Sequence, residues 1–309
     1  MRIKNIEEIN KNIKDNPLRY IIKSEEFYHN RIVDAITDIA LSKGQYPVVC
    51  LAGPSGSGKT TTALRIKEYL SNLGINVITI SMDNYYLPAY KRVGLDLESP
   101  ECIDIELLNS HLLELSSKPN AIVKSPIYSF KKGDISRYQT IKRSNNEIIL
   151  FEGLHALNPL IVDPIKDYYK GIYIAPRTNI KIEDETITPK NIRLIRRLLR
   201  DYNYRGSNFA ETVLNAERVN AGESKYIAPY KSNASIYIDT FLDYEPAVLI
   251  DKLNSITPSL DKAFSDEFIK KHNLQPILKL AKEIELLKLD NVPKNSVIRE
   301  FAGGSTLKY

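Results

Sequence analysis

The sequence has few cysteines and no long apolar segment, and each absence excludes a class of protein. Only two cysteines occur in 309 residues, Cys50 and Cys102, and they lack the spacing of a metal or redox motif. We therefore expect both thiols to be reduced. No apolar stretch approaches the roughly 20 residues of a membrane-spanning helix, and the first residues are too polar for a signal peptide. The sequence thus predicts a cytoplasmic globular protein without a membrane segment.

The charge is nearly balanced and is spread along the whole chain. Lys and Arg number 43 against 38 Asp and Glu, which gives a formal net charge of +5. The concentrated basic stripe with stacking aromatics that is typical of nucleic-acid binding is missing, so nucleic acid is not an expected partner. A mild positive charge suits anionic small molecules equally well. The length favours one large domain with appendages.

Short apolar runs alternate with amphipathic stretches from residue 46 onward. Strands that are apolar throughout and are separated by helices are typical of a parallel sheet covered on both faces. The sequence therefore predicts an α/β fold with a doubly wound, five-stranded parallel sheet. The predicted strands lie in YPVVCLAG, NVITISMD, EIILFEG, KGIYIAP and SIYIDT, and the predicted helices span 59–73, 104–117, 189–204, 208–222 and 244–254.

Three segments interrupt or flank this alternation. Helical periodicity in 24–43 predicts that residues 1–45 form an N-terminal helical extension. Residues 119–143 carry a Lys-Lys-Gly-Asp turn between two extended runs, which predicts a β-hairpin inserted into the α/β domain of residues 46–254. Residues 255–309 are expected to form a C-terminal helical extension that packs against the edge of the sheet.

The stretch GPSGSGKT fits the pattern G-x-x-x-x-G-K-[ST] between a predicted strand and a predicted helix, as this motif requires. Glycines let backbone N–H groups converge on phosphate oxygens, and the helix N-terminus adds its dipole. Lys59 would contact the outer phosphates, and the Thr60 hydroxyl can bind Mg²⁺. The alternative is a glycine-rich turn that only caps a helix. The predicted ATP or GTP site comprises Gly53, Pro54, Ser55, Gly56, Ser57, Gly58, Lys59, Thr60 and Thr61.

Two acidic residues follow predicted strands. Asp83 ends the run NVITISMD, and Glu152 ends EIILFE. Carboxylates at the carboxyl edge of a parallel sheet point into the ligand crevice. There Asp83 could accept a proton from an acceptor hydroxyl, and Glu152 could hold Mg²⁺ directly or through water. The alternative is that both residues only cap turns.

Arginines recur along the stretch NIRLIRRLLRDYNYRG. The spacing predicts that Arg193, Arg197 and Arg200 share one helix face, with Arg196 beside them. The opposite face is expected to be covered by Ile195, Leu198, Leu199 and Tyr202. Such a row is often only a solvated helix face. Beside a phosphate loop, guanidinium groups could close over phosphoryl oxygens as a lid, placed at about 185–207.

The motifs GPSGSGKT, SMDNYY, PIYSF, LFEGLHAL, RLIRRLLRDYNYRG and YKSNASIYID, in this order, resemble the uridine kinase and phosphoribulokinase family. The similarity extends to SVIREFAGGS and is strongest to bacterial uridine kinase-like nucleoside kinases. Those proteins carry a threonyl-tRNA-synthetase-like region ahead of the kinase, which the 309 residues do not contain. The resemblance implies a P-loop kinase that uses ATP and Mg²⁺ to phosphorylate a nucleoside.

The resemblance also implies roles for individual residues. The implied catalytic residues are Asp83, Lys59, Arg197 and Arg200. Arg205 would lie on the nucleotide side of the lid. Thr60 and Glu152 would serve Mg²⁺. The implied substrate-binding residues are Asp83, Tyr86, Glu98, Tyr128 and Arg197.

Four positions depart from the uridine kinase pattern and leave the acceptor open. Glu98 stands where the family has an aspartate that holds the ribose, and Gly133 stands in place of a base-contacting histidine. Ser207 replaces the second arginine of R-G-R, and Asn215 replaces a glutamine. A pantothenate or sugar-phosphate kinase of the same fold stays an alternative, as does a nucleotide-dependent regulatory or RNA-associated module. The helical ends are candidates for homo-oligomer contacts.

Overall fold

The computed structural model describes residues 1–144, 146–257 and 263–308. The strands in these ranges form three separate sheets. Most strands are short, as expected for runs that span one layer of a domain. In chain order they are β1 (Arg2–Asn5), β2 (Val48–Ala52), β3 (Val77–Ser81), β4 (Ile122–Ser129), β5 (Asp134–Lys142), β6 (Ile148–Gly153), β7 (Tyr169–Ala175), β8 (Thr178–Ile182), β9 (Glu185–Ile187) and β10 (Ile236–Asp239).

The α-helices fill most of the remaining described chain. Short 3₁₀ turns join several of them to the strands, among them Met82–Tyr85, which follows β3 directly. In chain order the helices are α1 (Ile6–Asp15), α2 (Pro17–Ser42), α3 (Lys59–Asn72), α4 (Ile105–Ser117), α5 (Pro159–Val162), α6 (Pro189–Arg205), α7 (Phe209–Tyr226), α8 (Glu245–Ile256), α9 (Asp266–Lys271), α10 (Gln275–Glu283) and α11 (Arg299–Ala302).

The central sheet has five strands in the order β10-β7-β2-β6-β3, and every neighbouring pair is parallel. Successive residues of β2 enter two different cores: Val49 and Leu51 pack in the larger one, and Val48, Cys50 and Ala52 in the smaller one. Because side chains alternate across a strand, the sheet is covered on both faces. The prediction of a doubly wound parallel sheet is confirmed.

Each face of the sheet is covered by a different set of helices. Helices α2, α3, α6 and α8 contribute buried residues to the larger core. Helix α4 buries Leu108, Leu112 and Leu115 in the smaller core, together with Ile161 and Val162 of α5. These leucines recur at intervals of four and three residues, which places them on one face of α4. Replacing any of them by alanine should cost about 2–5 kcal/mol.

The antiparallel hairpin β4–β5 lies within residues 119–143, so the predicted insertion is confirmed. The N-terminal segment differs from the prediction, because it begins with a strand. β1 pairs in parallel with β8, with Arg2 opposite Thr178, and β8 pairs with β9 in a small three-stranded sheet. Both α1 and α2 then bury side chains in the larger core. The boundaries at residues 46 and 255 stay a prediction, but the core crosses both of them.

The C-terminal segment is helical, as predicted, and its packing against the edge of the central sheet stays a prediction. Helix α10 contacts β9 and α6, and α11 contacts α6. Leu280, Val297 and Ile298 are buried in the larger core, so this segment covers the helices that surround the phosphate loop. Within the described residues, no helix is long and apolar enough to cross a membrane.

Candidate active site

The phosphate loop joins β2 to α3 and packs tightly against its surroundings. A Cβ atom on Gly53 would meet the carbonyl oxygen of Ile174 at 2.1 Å, so only glycine fits there. Gly58 has a φ of 86°, in the left-handed region, and a Cβ atom on it would also meet Val297 at 2.6 Å. The glycines therefore allow a compact turn that directs backbone N–H groups towards one space.

Three carbonyl groups of the loop are held from outside. The carbonyl oxygens of Ser55, Gly56 and Ser57 accept hydrogen bonds from Arg193 Nη1 (3.1 Å), Arg196 Nη1 (3.1 Å) and Thr240 Oγ1 (2.7 Å), respectively. These three hydrogen bonds fix the conformation of the loop backbone. The two arginines and the threonine thus position the loop, a role that the sequence analysis did not find.

Arg196 is a structural residue rather than a member of the arginine row. Its guanidinium group is completely buried and forms an ion pair with Glu245, including a contact of 2.8 Å between Nη2 and Oε2. Arg193 is also buried and donates to Glu223 at 2.5 Å. Tyr202 is 48% exposed, so its expected place on the covered face of α6 is wrong. A cationic side chain next to Ile and Leu on an amphipathic helix indicates a buried acidic partner, because a buried charge is costly unless it is paired.

Lys59 begins α3 and bends back over the loop. Its Nζ donates to the carbonyl oxygens of Gly53 at 2.8 Å and Pro54 at 3.2 Å. Burial lowers the pKa of its ammonium group, and the nearby carboxylates of Glu152 and Glu300 oppose this shift. The amine is therefore placed beside the loop amides and can exchange its carbonyl partners for phosphate oxygens.

The two threonines after Lys59 have different environments. Thr60 is exposed to the cavity, where its hydroxyl can reach a metal ion or a phosphate. Thr61 is fully buried, and both its backbone N–H and its hydroxyl donate to Glu300 Oε2, at 3.0 and 2.7 Å. Thr61 was expected to bind nucleotide. In this structure it binds a side chain of the C-terminal segment.

Asp83 and Glu152 lie at the carboxyl edge of the sheet beside the loop. Glu152 is paired in register with Leu51 of β2 and Ser81 of β3, and Asp83 follows Ser81 by two residues. Both carboxylates line the cavity, and the Asp83 side chain opens into it. The surrounding protein atoms raise the pKa of Asp83 to about 6, and Glu152 adds to the shift, while Lys59 and Arg205 oppose it. Asp83 is thereby suited to accept a proton near neutral pH.

Three arginines of α6 reach the same cavity: Arg197, Arg200 and Arg205. Arg197 is only 5% exposed, and its Nε has no hydrogen-bond partner among the described residues. Burial lowers its pKa to about 10, which leaves it charged at neutral pH. Arg200 Nε donates to Asp201 at 2.9 Å, and Arg205 Nε lies 3.5 Å from the same carboxylate. A buried guanidinium facing a cavity can stabilise a developing negative charge there.

Caps fix the ends of the helices that carry these side chains. Thr188 and Asn191 form a capping box at the start of α6, and Gly206, with a φ of 68°, ends that helix. Asn208 and Glu211 form a second capping box at the start of α7. The turn between the two helices is therefore set locally, which brings residues of both onto one cavity wall.

The aromatic wall of the cavity consists of Tyr86 and Phe130. Tyr128 was expected to bind substrate together with Tyr86, but it is 7% exposed and is not part of the cavity lining. Its ring centroid lies 5.8 Å from that of Tyr86 and 5.2 Å from that of Phe130. Its hydroxyl accepts a hydrogen bond of 2.5 Å from Arg92. Phe130 therefore lines the cavity in the place expected for Tyr128, and Tyr128 packs against Tyr86. Sequence reasoning missed Phe130, although PIYSF includes it.

The far wall of the cavity combines Glu98 with residues of α7. Glu98 packs on Gly222, where an added Cβ atom would meet Glu98 Cβ at 2.3 Å. Burial raises the pKa of Glu98, and Arg218 and Arg197 oppose the shift. Ser207, Asn215 and Arg218 complete this wall. Gly133 lies in the hairpin turn and accepts a hydrogen bond from the Ala89 amide. Arg218 is not among the site residues predicted from the sequence.

The cavity has a volume of about 370 Å³ and lies between the phosphate loop, the sheet edge and α6. Its donors fit a magnesium-bound nucleotide: converging loop amides, Lys59, and the unpartnered Nε of the buried Arg197. Among the described residues, no cluster of three or more His, Cys, Asp or Glu could hold a metal ion. A Mg²⁺ ion held by Thr60 and Glu152 would therefore depend on phosphate oxygens for its other ligands.

A phosphate loop after the central parallel strand β2, with acidic residues at the carboxyl ends of β6 and β3, the next two strands on one side of it, defines a P-loop kinase fold. The comparison with known families agrees with this class. The chain belongs to the phosphoribulokinase / uridine kinase family, whose model matches residues 48–245. Both the fold and the resemblance drawn from the sequence are confirmed.

Individual relatives carry related names. The uridine kinase of Ureaplasma urealyticum serovar 10 is 31% identical over 198 residues, which cover 62% of this chain and 86% of that protein. The uridine-cytidine kinase C of Dictyostelium discoideum is 33% identical over 118 residues, 38% of this chain and 25% of that protein. A solved structure of a possible uridine kinase from Bacillus stearothermophilus superimposes with a TM-score of 0.46 at 20% identity, covering 68% of this chain and 98% of that one.

Proposed function

We propose that the protein is a kinase that transfers the terminal phosphoryl group of ATP, with Mg²⁺, to a hydroxyl group of a nucleoside. Uridine and cytidine are the first candidates, because the named relatives are uridine and uridine-cytidine kinases. One observation carries the proposal: Lys59 of the phosphate loop and Asp83, with its raised pKa, line the same cavity. A phosphate site and a proton acceptor that face each other are the two parts that transfer to an alcohol requires.

On the donor side, the loop amides and Lys59 would hold the phosphates of ATP. Thr60 and Glu152 would hold Mg²⁺, which, when bound, neutralises charge on the phosphoryl group being transferred. Arg197, Arg200 and Arg205 line the cavity and would stabilise the charge that spreads over the phosphoryl oxygens. GTP would satisfy the same groups, so the choice of base is left to experiment.

On the acceptor side, the hydroxyl oxygen forms the new bond to phosphorus while the bond to the bridging oxygen of ADP breaks. Asp83 takes the proton that the hydroxyl group loses. Glu98 and Arg197 would hold the acceptor on the far side, and Tyr86 would pack against its ring, supported from behind by Tyr128. Phe130 would form the other aromatic contact.

A second acceptor class is favoured by Arg218. This cation lies in the cavity wall beside Glu98. An acceptor with its own negative charge, such as a sugar phosphate or pantothenate, would use such a group. Gly133, Ser207 and Asn215 lack the base-contacting groups of the uridine kinase pattern. Negatively charged acceptors are therefore included in the assay below.

A transfer assay with radiolabelled ATP, Mg²⁺ and a panel of acceptors tests the proposal. We expect label to be transferred to at least one nucleoside, and transfer only to pantothenate or a sugar phosphate would select the second class. Asp83→Asn is the matched control, because it keeps the size of the side chain and removes the base. ATP binding without transfer to any acceptor, together with co-purified RNA, would instead favour a regulatory module. We also propose that the protein acts in the cytoplasm, where ATP and Mg²⁺ are supplied.

A further inference from the structure

A carboxylate from the C-terminal segment reaches into the phosphate loop. Glu300 lines the same cavity as Lys59 and Thr60, and its Oε2 accepts a hydrogen bond from the Thr61 amide and another from the Thr61 hydroxyl. The two residues are 239 positions apart, so the contact depends on the whole fold. A negatively charged group thus lies at the start of α3, where the loop is built to receive a negatively charged ligand.

The Thr61 amide is one of the groups that a phosphate would use. The first four N–H groups of a helix lack acceptors within the helix, and the helix dipole makes them attractive to anions. The N-cap of helix α3 is Gly58, so Thr61 supplies the fourth and last of these amides. The next amide, from Thr62, is bonded within the helix to the carbonyl of Gly58. Glu300 therefore accepts a hydrogen bond from an amide that a phosphate would also use.

The segment that carries Glu300 is firmly held beside the loop. Arg299 is buried, and its Nε and Nη2 donate to the carbonyls of Pro293, Leu289 and Val292 at 2.7–2.9 Å. Phe301 is buried under the guanidinium of Arg196, 5.0 Å from its ring centroid. Val297 lies against Gly58. The backbone around Glu300 is therefore anchored at several points, and the carboxylate is presented to Thr61 by a fixed scaffold.

We propose that Glu300 is a built-in competitor for the nucleotide phosphates, bonded to Thr61 in the nucleotide-free protein and displaced when a triphosphate binds. The inference rests on the proposed function, in that the loop must bind a nucleotide. Two groups of like charge cannot share the Thr61 amide and hydroxyl, and their repulsion is strong in a partly buried site. Glu300 is half-buried, and it lines the cavity, so its side chain can turn into that space.

Isothermal titration calorimetry on the full chain tests the competition. The variant is Glu300→Gln, which keeps the shape and removes the charge, and the probes are MgATP and magnesium tripolyphosphate, which has no base. We expect the variant to bind both probes at least tenfold more tightly than the wild type. Glu300→Ala should bind at least as tightly. Asp290→Asn, an exposed residue of the same segment, is the matched control and should stay within twofold of the wild type.

Each other outcome contradicts the proposal in a distinguishable way. Unchanged or weaker binding by both Glu300 variants, with normal binding by the wild type, would overturn the competition alone. A gain for MgATP without a gain for tripolyphosphate would place the effect at the base or sugar, and would also overturn it. If folded wild type and variants all fail to bind MgATP, the proposed function fails as well. Thermal melting of each variant confirms that it is folded.

Discussion

At the scale of single residues, the site combines groups with opposite electrostatic needs. The surroundings raise the pKa of Asp83 to about 6, whereas burial lowers the pKa of Lys59 and lowers that of Arg197 to about 10. Burial disfavours a charged form in each case, but the neighbouring charges decide how far the pKa moves. This division is what a phosphate site beside a proton acceptor requires, and two predictions follow from Asp83 alone.

The first prediction concerns turnover. Asp83→Asn should lower kcat by about 10²- to 10⁴-fold, the usual contribution of a positioned base. In the wild type, kcat/KM should fall as the pH drops below about 6, because the raised pKa leaves Asp83 protonated there. Steady-state kinetics between pH 5 and 8 measure both effects. Unchanged turnover in the variant, or a wild-type kcat/KM that does not fall at low pH, would show that Asp83 is not the base.

The second prediction concerns stability, and its sign follows from the direction of the shift. The fold raises the pKa of Asp83 from 3.8 to about 6, so the folded state binds the proton more tightly than the unfolded state. Stability from this group is present below pH 4 and is lost as the pH rises through 6. Asp83→Asn should therefore raise the Tm at pH 8 and change it little at pH 3.5. Equal Tm values at pH 8 would contradict the shift.

At the scale of secondary-structure elements, one face of α6 has two functions, because its arginines at 193, 196, 197 and 200 recur at intervals of three and four residues. Arg197, Arg200 and Arg205 face the cavity, whereas Arg193 and Arg196 hold the phosphate loop from behind. The residues that position the loop therefore belong to the same helix as those that line the cavity. A shift of this helix would disturb both sets together.

The third prediction separates these functions through Arg196. Arg196→Met leaves Glu245 buried and unpaired, which should reduce the free energy of unfolding by about 3–5 kcal/mol. Denaturant unfolding measures it, with Arg205→Met, an exposed position of α6, as the matched control. In the double variant Arg196→Met, Glu245→Leu, most of the stability should return, because an apolar pair can replace a buried ion pair. If the double variant does not regain stability, the hydrogen bonds of Arg196 to Gly56 and Thr240 contribute more than its ion pair with Glu245.

Elements with a local signature were predictable from the sequence, and those that depend on distant partners were not. The phosphate loop, the apolar strands and the hairpin each depend on residues close together in the chain. β1 has four residues and exists through its pairing with β8, about 175 residues later. Likewise, the spacing of the arginines on α6 predicted which of them share a helix face. Which arginines are structural depends on their ion pairs with Glu245 and Glu223, which lie elsewhere in the chain.

At the scale of the whole molecule, the two ends of the described chain meet and share the larger core. Lys14 of α1 lies 2.6 Å from Glu285, and Asn10 bonds the backbone of residues 283 and 285. The family match ends at residue 245, yet the segment beyond it covers the phosphate loop. Ligand binding at the loop should therefore stabilise the molecule as a unit.

The fourth prediction uses this coupling. MgATP at 100 times its Kd should raise the free energy of unfolding by about 2.7 kcal/mol, since it binds only the folded state. Thermal melting with and without MgATP measures the effect. Lys59→Ala should lose most of the gain at the same ligand concentration, because it removes the cation beside the loop. An equal gain in this variant would exclude the proposed phosphate contact.

The contact between Thr61 and Glu300 also has a consequence for biosynthesis. A ribosome that adds about 5–20 residues per second needs roughly 12–48 s to make the residues between them. Throughout that interval the Thr61 amide and hydroxyl lack the carboxylate that the finished protein supplies. Cellular polyanions could therefore engage the growing polypeptide before its own carboxylate arrives.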